Sequence, residues 1–362
     1  MVGLCANKRC DRGRTRSGAV LVLVLMVFSA LSLLSFGLCH RVRLDLKRAR
    51  VRGDDLKAYY LALGGVYRAV AALQGFEPTE DEGEVCHFGQ SWHLNTTAGA
   101  EGCFEQVDVS WLAEASLFYS VMDEEGRLNV NTSSPAGWVN LPGMQEEIIY
   151  AILDWQDGDS EAYPNGAESG YYARQRRPYK AKNGPTSIIW ELALVKDVDW
   201  VKLRGEDWNG NGVLDEMGEN DGPALRPMDD GDGVLDSGLL DFFTVYGEGK
   251  VNINTASAAV LFSLPDIEVA TARSIVEMRT GPDGEPYTAD DKFFRSFEEL
   301  AEVSGVTPYQ LELFEQYVQF ASKHFRVVSE ARVRPGGRPC RLMGTVFRDE
   351  KDVQLLLLRQ DS

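Results

Sequence analysis

The sequence predicts an α+β chain that begins with one long helix. An uncharged apolar run, Ala19 to Cys39, passes directly into an amphipathic stretch. β-rich segments bracket the middle of the chain, and that middle holds an internal repeat of helical character.

At about 1.5 Å per residue the apolar run makes a helix of roughly 30 Å, the thickness of a bilayer core. A cleaved secretory signal has a shorter apolar region, about 7–15 residues, and an A-x-A-like site after it. Here "FGLCHRVRLD" turns basic at once. Ahead of the run stand Lys8, Arg9, Arg12, Arg14 and Arg16 against Asp11. That excess keeps the N-terminus cytoplasmic and sends the rest across the membrane. An ordinary anchor has the same features, so composition leaves the two readings side by side. Beyond the run, Leu56, Tyr59, Leu63, Val66, Val70 and Leu73 recur at spacings of three and four, which predicts an amphipathic helix with one face to bury. Gly53, Gly64 and Gly65 are the places where it would kink or break.

Residues 80 to 132 read as loop and strand, and "SLFYSVMDEEGRLNVN" predicts a hairpin about "DEEG". Near the C-terminus, "HFRVVSEARVR", "CRLMGTVFR" and "DVQLLLLRQ" are short β-rich runs. All are assigned to one sheet, with the helical middle inserted between its strands.

Within the insertion, "NVNTSSPAGWVNLPGMQEEIIYAILDW" from Asn129 aligns without a gap on "NINTASAAVLFSLPDIEVATARSIVEM" from Asn252. "ELALVKDV" from Glu191 is echoed by "ELAEVSGV" from Glu299. Each copy reads as strand end, capped short helix, tight turn and longer helix. The units resemble the helix-hairpin-helix units of DNA-binding and competence proteins, in which a glycine-rich turn offers backbone N–H groups to a phosphate. The turns here, "LPGM" and "LPDI", lack the second glycine, and Asp266 puts a carboxylate where a phosphate would sit. The chain carries 55 acidic against 37 basic residues, a net charge of −18. Phosphate neutralisation needs a basic surface, so the repeat is assigned to helical packing and no nucleic-acid partner is expected.

The most specific chemical signal is "EDWNGNGVLDE". Asp207, Asn209, Asn211 and Asp215 take positions one, three, five and nine of a calcium loop, with Gly212 at the sharp turn and Val213 offering its carbonyl. The twelfth position is Gly218, so a bidentate carboxylate must come from Glu216, Glu219, Asp221 or further away. "DDGDGVLD" is a partial second copy, with Asp230, Asp232 and Asp236 in register. Between Gly205 and Asp241 Arg226 is the one basic residue among many acidic ones, a density that calls for a cation. A solvated acidic turn that binds nothing is the competing reading.

Cys86 and Cys103 lie close together in the part beyond the membrane, where a disulfide persists, and are expected to pair. Two buried thiols are the alternative. No nucleophile elbow, phosphate loop or His–Glu zinc helix occurs, so no enzyme is expected. Tyr171, Tyr172 and Tyr179 with Arg174, Arg176 and Arg177 make a basic aromatic patch, suited either to a partner or to packing between helices.

A basic leader, Gly18, the apolar stretch and a continuing helix together resemble a prepilin-type signal. The resemblance implies cleavage by prepilin peptidase between Gly18 and Ala19, with the apolar helix retained and its new N-terminus methylated. Most pilin-like proteins carry glutamate at the fifth mature position, which here is Leu23. That departure, with the doubled "NxNT…LP" units, "PYKAKNGP…EL", "FFTVYGEGKVNINTAS" and the "DxNxNGxLD" loop, resembles the type II secretion minor pseudopilin K family from Arg16 onward. It implies a pilin-like antiparallel sheet with a large inserted helical domain, calcium binding, and a place at the tip of a periplasmic pseudopilus beside other minor pseudopilins. There the protein would cap the filament and help start its assembly for export of folded proteins. Single-pass anchoring in the bacterial inner membrane follows, with the C-terminal domain in the periplasm. The alternative is a membrane-anchored helix-hairpin-helix protein that binds DNA in an uptake or pilus system. The expected division is a leader at 1–18, membrane helix at 19–39, its amphipathic continuation at 40–75, a pilin-like part at 76–132, the insertion at 133–320 and completing strands at 321–362.

Overall fold

The computed structural model describes residues 15–77, 85–90, 92, 105–107, 109, 115–207, 222, 231–284, 290–350 and 352–361. The chain divides into two units, one up to Lys57 and one from Ala58 onward. Helix α1 (Thr15–Gly75) is continuous through the glycines where a break was expected. Its apolar part, beginning at Val20, has a mean hydropathy of 2.6 over the most apolar 18-residue window and is long enough to cross a membrane.

In the second unit, α1 buries Ala58, Ala62, Val66, Ala69 and Leu73. Val66 and Leu73 belong to the expected face, whose centre is shifted onto the alanines. Leu56 is exposed, and Tyr59, Leu63 and Val70 are only partly buried. Alanines win because they let the helix lie close on the sheet. At Gly65 a Cβ would stand 2.2 Å from Ser329 Oγ, so this glycine marks a close approach, not a kink.

The sheet is fully antiparallel in the order β1 (Glu105–Val107), β2 (Ser116–Asp123), β7 (His324–Arg332), β8 (Cys340–Asp349), β9 (Asp352–Asp361). The three C-terminal strands are those the sequence predicts. The "DEEG" hairpin does not form. β3 (Leu128–Asn129) pairs in parallel with β4 (Phe243–Thr244), while β2 takes β7 as its antiparallel partner. Asp123, Glu124 and Glu125 are buried anchors instead of a solvated turn.

Between β2 and β7 the chain builds the helical insertion. In order it contains β3, α2 (Pro135–Trp138), α3 (Glu146–Gln156), α4 (Ser169–Tyr172), a 3₁₀ turn at Ile189–Leu194, α5 (Trp200–Arg204) and α6 (Leu239–Phe242). It continues through β4, β5 (Val251–Asn252), α7 (Ala258–Phe262), α8 (Val269–Arg279), α9 (Phe297–Leu300), α10 (Pro308–Tyr317) and β6 (Val318–Gln319). Its core, from Leu128 to Val318, is separate from the one between α1 and the sheet. Because Asp123 pairs with Phe325, the insertion leaves and re-enters the sheet at adjacent points.

Candidate functional site

The residues that fix the insertion to the sheet are consecutive. Asp123 ends β2, and its Oδ2 accepts from Asn252 Nδ2 (2.9 Å), Thr255 Oγ1 (2.6 Å) and Ser322 Oγ (2.6 Å), while Oδ1 accepts from the Glu125 N–H. Burial raises its pKa to about 6 despite those donors. Glu124 pairs with Arg326 and accepts from Thr244 Oγ1. Burial pushes it up, but the Arg326 and Arg127 charges outweigh that and hold it below the usual carboxylate range. Glu125 accepts from the backbone N–H groups of Lys323 and His324, from Gln319 and from the His324 ring (2.6 Å). Sequence reasoning missed this junction. The available signal was three acidic residues directly after an apolar strand.

The repeat has a matching physical basis in its two copies. Asn129 Oδ1 accepts from the Asn131 N–H, and Asn252 Oδ1 accepts from the Asn254 N–H. Asn131 then grips both backbone groups of Thr186, donating to its carbonyl (3.0 Å) and accepting from its N–H (2.7 Å). Asn254 grips Phe294 in the same way, at 2.9 Å and 2.7 Å. Glu191 accepts from the Ser187 N–H, as Glu299 does from the Arg295 N–H. The doubled "NxNT" is thus a pair of clamps, each tying a strand end to the segment before an "ELA" turn. At the hairpin turns Gly143 and Asp266 share the left-handed conformation, at φ 69° and 56°. Asp266 accepts from Tyr309 Oη and from Gln310 Nε2, so this turn is filled by the protein itself.

Of the expected calcium ligands, Asn209, Asn211, Val213, Asp215, Glu216, Glu219 and Asp230 lie outside the described residues. Asp207, Asp232 and Asp236 are described. The loop closes where Gly205 bridges Ser237 and the Glu206 N–H donates to the Asp236 carbonyl (2.9 Å). Asp232 and Asp236 are exposed, and Asp232 Oδ1 accepts from the Val234 N–H. Asp207, Asp232 and Asp236 do not themselves form a three-carboxylate cluster.

Cys86 is buried with a free thiol that donates to the Ser322 carbonyl (3.5 Å), and burial pushes its pKa up to about 12. The sequence reading paired it with Cys103, which lies outside the described residues. In the basic aromatic patch, Tyr172 is buried, stacks with Tyr179 and meets Trp155 edge to face, while Arg174, Arg176 and Arg177 face solvent. Gly18 and Ala19 lie in the first turns of α1, and Leu23 is exposed on it.

A membrane-length helix whose far end packs on an antiparallel sheet, with a helical insertion between two sheet strands, is the architecture that the sequence predicts. The family model for type II secretion system (T2SS) protein K matches residues 138–203, and a helix-hairpin-helix motif model matches residues 247–319. The chain is 24% identical to the type II secretion system protein K of Pseudomonas aeruginosa, over 96% of this chain and 93% of that protein. It is also 24% identical to the protein of that name from Klebsiella pneumoniae, over 50% of this chain and 58% of that protein. Its fold is similar to a chain in the crystal structure of the GspK-GspI-GspJ complex from the enterotoxigenic Escherichia coli type 2 secretion system. That match has a TM-score of 0.50 and 14% identity, and covers 89% of this chain and 99% of that one. The chain carries a type II secretion protein K domain at residues 138–203 and is similar to a protein K over nearly its whole length.

Proposed function

We propose that this minor pseudopilin sits at the tip of the pseudopilus, where it caps the filament and helps start its assembly with partners like GspI and GspJ. Leu23 carries the reading. In pilin-like subunits a glutamate at this place neutralises the terminal amine of a neighbour inside the membrane helix bundle. A subunit with no subunit above it has no amine to meet, so an apolar Leu23 costs nothing there and avoids burying a charge in lipid. The bulk of the insertion between β2 and β7 supports the same position, since it would obstruct stacking within a filament. The basic residues ahead of the apolar run support a periplasmic body. Calcium held by Asp207, Asn209, Asn211, the Val213 carbonyl and Asp215, with help from Glu216, Glu219, Asp230, Asp232 or Asp236, would order the acidic loop.

Processing tests this reading. Mass spectrometry of the chain from membranes is expected to find a mature N-terminus at Ala19, methylated. Gly18→Ala is expected to leave the leader attached, because prepilin peptidase needs a residue without a side chain at the scissile bond. A chain that retains its leader in the wild type, or is cut after Cys39, contradicts the proposal.

A further inference from the structure

We infer that Asp154, Asp157 and Glu168 form a second calcium site, separate from the acidic loop, that locks the connection between α3 and α4. Asp154 lies in the last turn of α3, Asp157 caps that helix, and Glu168 is the N-cap of α4. Each offers a carboxylate oxygen, and the three oxygens lie within 4.8 Å of one another. Among the described residues no lysine or arginine pairs with any of them. Asp154 is fully buried and Glu168 is 8% exposed.

The decisive atom is on Glu168. Its Oε2 accepts from the Ser169 N–H, but its Oε1 is buried with no hydrogen-bond partner. A buried carboxylate oxygen without a donor, on a residue whose carboxylate clusters with two others, is costly unless a cation or a proton is bound there.

The chemistry selects the ion. The donors are all carboxylate oxygens, with no histidine or thiol, which disfavours zinc. Calcium takes about six to eight oxygens in a flexible shell and accepts several carboxylates at once, whereas magnesium keeps most of its waters and is seldom held by an all-protein cage. Asp154 is already held by the N–H groups of Tyr163 (3.0 Å) and Ala167, so the site is built before the ion arrives. Water and Asp159, whose charge is felt by both Asp154 and Glu168, would complete the shell. The ion would pin residues 157–168 and so hold Tyr172, which packs on Trp155.

The test uses the full chain in detergent, stripped with chelator, and follows hydrogen exchange in residues 157–168 and calcium stoichiometry at pH 7. Calcium is expected to slow exchange there in wild type and equally in Asp207→Ala, which affects the acidic loop alone. Glu168→Gln keeps size and the Ser169 contact and is expected to weaken binding at this site roughly tenfold, since affinity follows ligand charge. Asp157→Asn should do the same. Terbium substituted for calcium is expected to luminesce on excitation of Trp155, and to lose that signal in Glu168→Gln. Exchange in 157–168 that ignores calcium, or a stoichiometry unchanged in both variants, overturns the site. Failure of the acidic-loop reading shows differently, as an Asp207→Ala chain that binds as many ions as wild type.

Discussion

Gly137→Ala is expected to destabilise the insertion by at least about 3 kcal/mol, at or beyond the upper end of overpacking effects. A Cβ there would lie 1.8 Å from the Ser263 carbonyl oxygen and 2.8 Å from its carbon. The obstacle is backbone, so no side-chain rotation relieves it. Gly137 sits in α2, in the first repeat, and Ser263 caps α7, in the second. Asn140 Nδ2 also donates to the Phe262 carbonyl across this contact. To accommodate one methyl group, the two helix-hairpin-helix units must move apart and open the core around Trp138. Gly143→Ala is the control. It has open space around its Cβ but a φ of 69°, so only the left-handed strain of about 1–2 kcal/mol is expected. Urea unfolding of the full chain in detergent, read by tryptophan fluorescence, separates the two. Equal losses would mean that the repeats do not meet at Gly137.

Asp123→Ala is expected to cost about 3–5 kcal/mol, because several buried donors lose one acceptor and each unsatisfied group costs about 1–3 kcal/mol. Asn252 Nδ2 retains the Cys86 carbonyl and Ser322 Oγ, but the Thr255 and Ser322 hydroxyls and the Glu125 N–H must find new partners. Asp123→Asn should lose less. Its oxygen can face three donors only by turning its NH₂ against the Glu125 N–H. The pH dependence identifies the carboxyl. Its folded pKa of about 6 lies above the ordinary 3.8, so the folded chain holds this proton more tightly than the unfolded one. Its stabilising contribution is therefore full below about pH 4 and is lost as pH rises through about 6. Asp123→Asn should flatten that part of the stability–pH curve. Removing the exposed pair partner Asp45 beside Arg48 should change stability by less than about 1 kcal/mol. A pH profile unchanged by Asp123→Asn would place the titration elsewhere.

What the sequence made legible depended on periodicity and on local chemistry. The apolar run, the three C-terminal strands and the repeat were readable because each imposes a pattern within a few residues. The Asp266 turn was readable for what it lacks, and the structure adds that Tyr309 and Gln310 occupy it. The buried face of α1 was legible at Val66 and Leu73, but its centre was displaced, because hydropathy rewards Leu56 over Ala58 while close packing on the sheet rewards the smaller side chain. The "DEEG" segment was misread for a related reason. Three acidic residues look like a solvated turn until Asn252, Arg326 and His324, more than a hundred positions away, supply their partners. The unpartnered Glu168 oxygen was equally invisible, since its surroundings depend on how α3 and α4 turn back on each other.

Copurification tests the central claim most directly. The full chain, extracted in detergent from membranes that also produce the other minor pseudopilins of the same system, is predicted to elute with them as one stable complex. Raised salt should leave that complex intact, and the chain should show no salt-dependent affinity for DNA. A chain that elutes alone and binds DNA at low salt would contradict the account and make the helix-hairpin-helix units a nucleic-acid surface after all.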